Sequence, residues 1–149
     1  MEQDLTYFSN FGEQVEQRLN KLDNFAQRGQ LAYPPRIKRE QTAAEAKSLF
    51  EAAEAALPPD SEEKPQASAA VAGRLVSIRI MGKSTFAHIE DGSGRIQIYL
   101  TKNDLGDDYN IFKKDFDLGD FIAVQGWMFR TRTGEITVHA EAFQLASKA

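Results

Sequence analysis

The sequence predicts an α+β, mainly β chain: a five-stranded barrel behind a helical lead-in. Three observations predict it. Up to about residue 57 apolar residues recur at helix spacing, and from Val71 onward the period is two. Five β-like runs follow, Val71–Ile80, Ser84–Asp91, Arg95–Leu100, Phe121–Thr131 and Ile136–Leu145, with one helix-compatible stretch, Asp107–Phe116, between the third and fourth. Three strands, a short helix and two strands is the order of the Greek-key barrel called the OB-fold. A meander sandwich competes, but five strands are few for one.

The elements divide the chain into a helical extension of two helices over 1–57, a linker over 58–70 and the barrel over 71–149. In the first helix Val15, Leu19, Leu22 and Phe25 share a face, Gly29 is a C-terminal stop, and Tyr33-Pro34-Pro35 forces an extended connection. The second begins at Thr42-Ala43-Ala44-Glu45, a capping box. It runs through Ala46, Leu49, Phe50 and Ala53 towards Leu57, where Pro58-Pro59 ends it. Residues 58–68 are rich in proline and charge, with nothing to bury. Gly73 and Gly126 fall inside strands, where a small barrel bends sharply.

Composition narrows the function. The 149 residues contain no cysteine, which excludes disulfides, zinc ribbons and thiol nucleophiles, and only two histidines, His88 and His139. No apolar run is long enough to span a membrane, and the acidic start MEQDLTYFSN is not a secretory signal. A cytoplasmic setting is expected. The net charge is −4, and all of it lies before the barrel: residues 1–70 hold 8 Lys+Arg against 12 Asp+Glu, and residues 71–149 hold 10 of each. Any nucleic-acid recognition by the barrel must therefore come from placed residues rather than a basic blanket.

The second and third strands carry the strongest signal. With Asp91-Gly92-Ser93-Gly94 as the turn, Ile89 opposes Ile96 and Ala87 opposes Ile98 on an apolar face. The other face pairs Glu90 with Arg95, His88 with Gln97 and Phe86 with Tyr99. A merely solvated face would not carry two aromatics beside an amide and an imidazole. Rings on an OB-fold strand face give unstacked bases something to stack on, and Gln, Arg and Glu can read their edges. The plain alternative is sheet decoration, with Glu90 and Arg95 an ordinary surface ion pair.

Two loops flank that face. Arg79-Ile80-Met81-Gly82-Lys83 joins strands one and two, and Arg130-Thr131-Arg132-Thr133-Gly134-Glu135 joins strands four and five. Lys83, Arg130 and Arg132 are candidates for phosphate contacts. Glu135 could accept from a base or pair with its neighbours. There is no Gly-rich phosphate loop, metal-ligand spacing or nucleophile–base pattern. Asp107-Asp108 and Asp115, Asp117 and Asp120 fall at helix ends and turns, where aspartate caps amides. His139, mid-strand, is taken as structural.

The run Arg79 to Phe86, then Asp91 to Tyr99, Phe112-Lys113-Lys114, Asp117-Leu118-Gly119-Asp120 and Thr131 to Glu135, closely resembles bacterial, class II lysyl-tRNA synthetases. Tyr33-Pro34 and Thr42 to Glu45 are similar to that family's N-terminal helical region, so the resemblance covers almost everything from residue 13 onward. It implies an anticodon-binding barrel for tRNA-Lys, with the central uridine stacked on Phe86 and hydrogen-bonded by Gln97 and Arg79, and Glu135 on a flanking anticodon base. His88 joins this set from the strand register alone. The resemblance also implies that the class II domain, with its ATP and Mg, would begin where the chain stops at Ala149. These residues by themselves are thus expected to have no cofactor and not to aminoacylate. A homodimer is expected of the full-length relative and a monomer of this part alone. The chain reads as an excised domain or as a stand-alone tRNA- or single-strand-binding protein.

Overall fold

The computed structural model describes residues 37–149. The helix expected around Val15 to Phe25, and Tyr33-Pro34, lie outside the described residues. Within them the elements are helix α1 (Ala43–Ala55), strands β1 (Ser68–Met81), β2 (Ser84–Asp91) and β3 (Gly94–Thr101), helices α2 (Lys102–Leu105) and α3 (Asp107–Asp115), and strands β4 (Phe121–Arg130) and β5 (Ile136–Ser147). The strands close into a barrel in the order β1-β2-β3-β5-β4, the OB-fold predicted.

Closure depends on β1, which serves two neighbours. Its first half, Ser68 to Arg74, pairs with β4, and its second half, Arg74 to Met81, pairs with β2. The strand turns the corner at Gly73 and at a register shift between Leu75 and Ser77. A Cβ at Gly73 would sit 2.8 Å from the Glu90 carbonyl oxygen, so the backbones approach too closely for a side chain there. Gly126 is tighter still: a Cβ would lie 1.9 Å from the His139 carbonyl oxygen, beside the bulge where β4 slips against β5. Both glycines sit where the barrel bends, as their positions in the sequence suggest.

Period-two alternation fills the interior. Val71, Leu75, Ala87, Ile89, Ile96, Ile98, Leu100, Val124 and Val138 are buried together, and the odd–even phase of each strand puts their neighbours outside. Helix α3 closes the barrel with Tyr109 and Phe112, the latter against Phe116 and Phe143. The Tyr109 hydroxyl lies 2.8 Å from Thr85 Oγ1 and donates to the Gly82 carbonyl at 3.0 Å, fixing the β1–β2 turn.

Helix α1 opens with the expected capping box: Thr42 Oγ1 accepts from the Glu45 amide, and Glu45 Oε1 accepts from the Thr42 amide. Ala43, Ala46 and Phe50 form its buried face and join the barrel core. The β2–β3 turn reinforces the cap, since Asp91 Oδ2 accepts from the Ala43 amide at 2.8 Å and Ser93 Oγ from the Ala44 amide at 3.0 Å. At the far end Glu54 receives a two-pronged contact from Arg130, at 2.6 and 2.9 Å.

Beyond shifts of a residue or two at other strand and helix ends, three features differ from expectation. β1 starts at Ser68 rather than Val71, because three small residues without an apolar signature still complete the ladder to Trp127 and Gly126. The β1–β2 connection is a two-residue turn with Gly82 at φ 66°, so Arg79 and Ile80 belong to the strand and not to a loop. The one-turn helix α2 was not expected. Thr101 caps it by accepting from the Asp104 amide. At the end of β5, the Lys148 ammonium is almost buried between Asp117 at 3.0 Å and Asp120 at 2.6 Å. Asp120 also accepts from the Asp117 amide, a turn role of the kind expected for this aspartate cluster.

Candidate nucleic-acid interface

Strand pairing assembles the outer surface as rows that run across the strands. In one row Arg79 pairs with Phe86, Phe86 with Tyr99, Tyr99 with His139, and His139 with Trp127. In the next, Ser77 pairs with His88, His88 with Gln97, Gln97 with Thr137, and Thr137 with Phe129. The register across β2 and β3 is the one predicted, pair for pair.

The second row is wired by hydrogen bonds. Ser77 Oγ and His88 Nδ1 are 2.8 Å apart, and His88 Nε2 meets Glu135 Oε2 at 2.5 Å. The Thr137 hydroxyl shares its proton between Gln97 Oε1, at 2.9 Å, and the Glu135 carbonyl, at 3.1 Å. With its oxygen so engaged, Gln97 has its NH2 group left to offer a ligand. A base acceptor such as a uracil carbonyl is the complement of that donor.

These residues share one recess of about 770 Å3, lined by Arg79, Phe86, His88, Gln97 and Arg132 together with Ser77 and the neighbouring threonines. Phe86 and Tyr99 stack behind it with ring centroids 4.5 Å apart, tilted by 30°. Opposite stands the β4–β5 loop, pinned by its own bonds: the Thr131 amide donates to the Glu135 carbonyl at 3.0 Å, and Thr131 Oγ1 accepts from the Glu135 amide at 3.1 Å. Of the residues expected at a site, Arg79, Phe86, His88, Gln97 and Arg132 line this recess, and Glu135 reaches its edge through His88. Lys83 occupies the tight β1–β2 turn, exposed.

Arg130 is placed elsewhere. Its guanidinium holds Glu54, donates to the Gly134 carbonyl at 2.6 Å and lies over the Phe50 ring, so it braces α1 and the loop base instead of facing the recess. The hydrogen bond from Arg130 holds the Glu54 carboxyl below its usual range, against the opposing effect of burial. Glu90 and Arg95 form an exposed pair at 3.0 Å, the ordinary surface bridge of the plainer reading.

The sequence did not single out the other half of the aromatic row. His139, taken as structural, lies against Tyr99 at 5.2 Å, Phe129 at 5.9 Å and Trp127 at 4.2 Å between centroids. Its Nε2 contacts the Asp104 carboxylate. Hydrogen bonds from Thr101 and then His139 lower that carboxyl's pKa. The signal that could have found this half was present: Trp127 and Phe129 occupy the outward phase of β4, alternating with buried Met128.

Comparison with known proteins agrees with this geometry. Residues 69–146 match the family model described as the tRNA anti-codon, OB-fold nucleic acid binding domain. The chain is 39% identical to a lysine–tRNA ligase of Wolinella succinogenes over 96% of its own length and 28% of the relative's. It is 40% identical to one from Methanoculleus marisnigri over 89% of the chain and 25% of the relative. With one from Legionella pneumophila the identity is 53% over 58% of the chain and 17% of the relative. The chain therefore spans between 17% and 28% of the length of these relatives. Among the described residues no helix is long and apolar enough to cross a membrane.

Proposed function

The chain belongs to the tRNA anti-codon family of OB-fold nucleic-acid-binding domains, and from that premise we propose that its barrel reads the anticodon of tRNA-Lys as the recognition part of a lysine–tRNA ligase. The observation that carries the reading is the recess in which a stacking ring, an amide donor and two guanidiniums converge. A base turned out of the anticodon loop stacks on Phe86, with Tyr99 behind it. The Gln97 NH2 donates to a uridine carbonyl, and Arg79, next to Phe86 in the row, supplies a second donor. Glu135, steadied by His88, accepts from a flanking base. Lys83 and Arg132 hold phosphates, which position the loop without reading it.

Lysine activation with ATP and Mg, the charging of the tRNA and assembly into a homodimer belong, on this reading, to the longer protein, in a cytoplasmic setting. The isolated barrel is a monomer. The test is a titration of residues 1–149 against the anticodon stem-loop of tRNA-Lys and against stem-loops with the triplet replaced. Binding should weaken as each anticodon uridine is substituted. Equal affinity for unrelated anticodons overturns the proposal in favour of a generic single-strand binder.

A further inference from the structure

The aromatic row does not end at the recess. Beyond Tyr99 it continues onto β5 and β4 through His139 to Trp127, with centroid steps of 5.2 and 4.2 Å, and Phe129 closes its side at 5.5 Å from the indole. From Phe86 to Trp127 is three strand spacings, roughly 14 Å at about 4.8 Å each. That is several times the ~3.4 Å rise of a stacked strand, and the bases here are turned out of the stack rather than piled on one another. A base lying on Trp127 is therefore not a neighbour of the one on Phe86.

The far end of the row is built rather than incidental. His139 backs the indole at 37° between ring planes, and Asp104 holds the imidazole through Nε2. Gly126 permits the close approach of β4 to β5 that brings the two rings together. Even so, Trp127 keeps 44% of its surface exposed, and with Phe129 and His139 against it the indole belongs to a contiguous aromatic patch rather than standing alone. It stands between two surface recesses, and the larger, of about 890 Å3, adds Lys64 and Arg130 against Glu54 and Glu63. Charge there is balanced, so the attraction on offer is stacking and not phosphate binding.

We propose that Trp127, backed by His139 and flanked by Phe129, is a second stacking site that takes a base of the RNA loop outside the anticodon triplet. The proposal rests on the anticodon reading above and extends it from one recess to a track across four strands. It makes the loop's flanking nucleotides contributors to affinity. The same site is indifferent to their identity, because every base has a π-face.

Trp127 is the only tryptophan in the chain, so its fluorescence reports on this site alone. The experiment follows Trp127 emission and, in parallel, the anisotropy of a labelled tRNA-Lys anticodon stem-loop, for the parent chain and for W127A and W127F. The expected result is quenching of Trp127 as the RNA binds, lost when the loop nucleotides flanking the triplet are made abasic. W127A should bind the intact loop about 5- to 10-fold more weakly and the abasic loop no more weakly than the parent does. W127F, which keeps a ring, should recover most of the difference. Anticodon-dependent binding with unchanged Trp127 emission, or an equal loss for intact and abasic loops, overturns this proposal and leaves the anticodon reading standing. The first of those outcomes is what a protein-docking role for the indole would give. Absence of anticodon-dependent binding overturns both.

Discussion

His88 and Glu135 meet at 2.5 Å although 47 residues separate them, one on the floor of the recess and the other at the end of the β4–β5 loop. The contact ties the loop to the β2–β3 face, and Ser77 lies on the other side of the imidazole, against Nδ1. With the side chains 25% and 40% exposed, the pair contributes at most about 1 kcal/mol to stability. Its consequence lies in where Glu135 points. H88A and E135Q should each weaken anticodon-dependent binding while moving the melting temperature by no more than a few degrees. The double variant should lose less than the sum of the two. Strict additivity in that cycle would mean the two side chains act independently.

Phe86 is the ring that lines the recess, and on the proposed reading a base stacks on it. F86A should cost about 1–3 kcal/mol of binding to the anticodon loop. F86Y should retain most of it. Calorimetry on both variants, with circular dichroism to verify the barrel, separates loss of the platform from loss of fold.

Two arginines two residues apart should behave oppositely. Arg132, exposed at the recess, answers to salt: R132A should reduce the slope of log affinity against log salt by about 0.7. Arg130 answers to heat, because it joins α1 to the loop base through Glu54 and Gly134. Removing that partly exposed bridge with R130A should destabilise by about 1 kcal/mol after solvent screening, with little change in the salt slope. A swap of these phenotypes would reassign both residues.

The β4–β5 crossing tolerates no side chain at Gly126. G126A puts a methyl group 1.9 Å from a backbone oxygen, which neither strand can yield without shifting the ladder. A loss of about 3 kcal/mol or more is expected in urea unfolding. G92A, in a turn with open space around it, is the matched control and should be near neutral.

Asp91 gives the fold an acid-sensitive joint. Burial works to raise its pKa, but hydrogen bonds from the Ser93 hydroxyl and from the Ala43, Ser93 and Gly94 amides outweigh it and leave the carboxyl below its usual range. A depressed folded value means the stabilisation is complete above the unfolded pKa of about 3.9 and is lost as pH falls through the lower, folded value. D91A should cost about 1 kcal/mol at pH 7. The gap to the parent should narrow below about pH 4. Chemical denaturation at both pH values checks it.

How much of this could be read from the residues depended on whether partners are near in sequence. The β2–β3 face was legible because a four-residue turn fixes register, and register fixes faces. The capping box at Thr42 was legible for the same local reason. The join of Tyr99 to His139 was not, since β3 and β5 pair in parallel and no turn between them sets that register; the His139–Trp127 pair is local to the β4–β5 hairpin but enters the row only through that join. Nor was the diversion of Arg130: its partner Glu54 is 76 residues away on a helix whose docking angle the sequence does not state.

Helix α1 gains a further meaning from its two attachments. Thirteen residues make a rod about 20 Å long, too short to persist alone in water. One end is bolted to the β2–β3 turn through Asp91 and Ser93, the other to the foot of the β4–β5 loop through Arg130. The rod is thus a splint whose two attachments lie on two different hairpins. It holds the β2–β3 turn and the foot of the β4–β5 loop a fixed distance apart, so the loop carrying Glu135 is set by the fold itself.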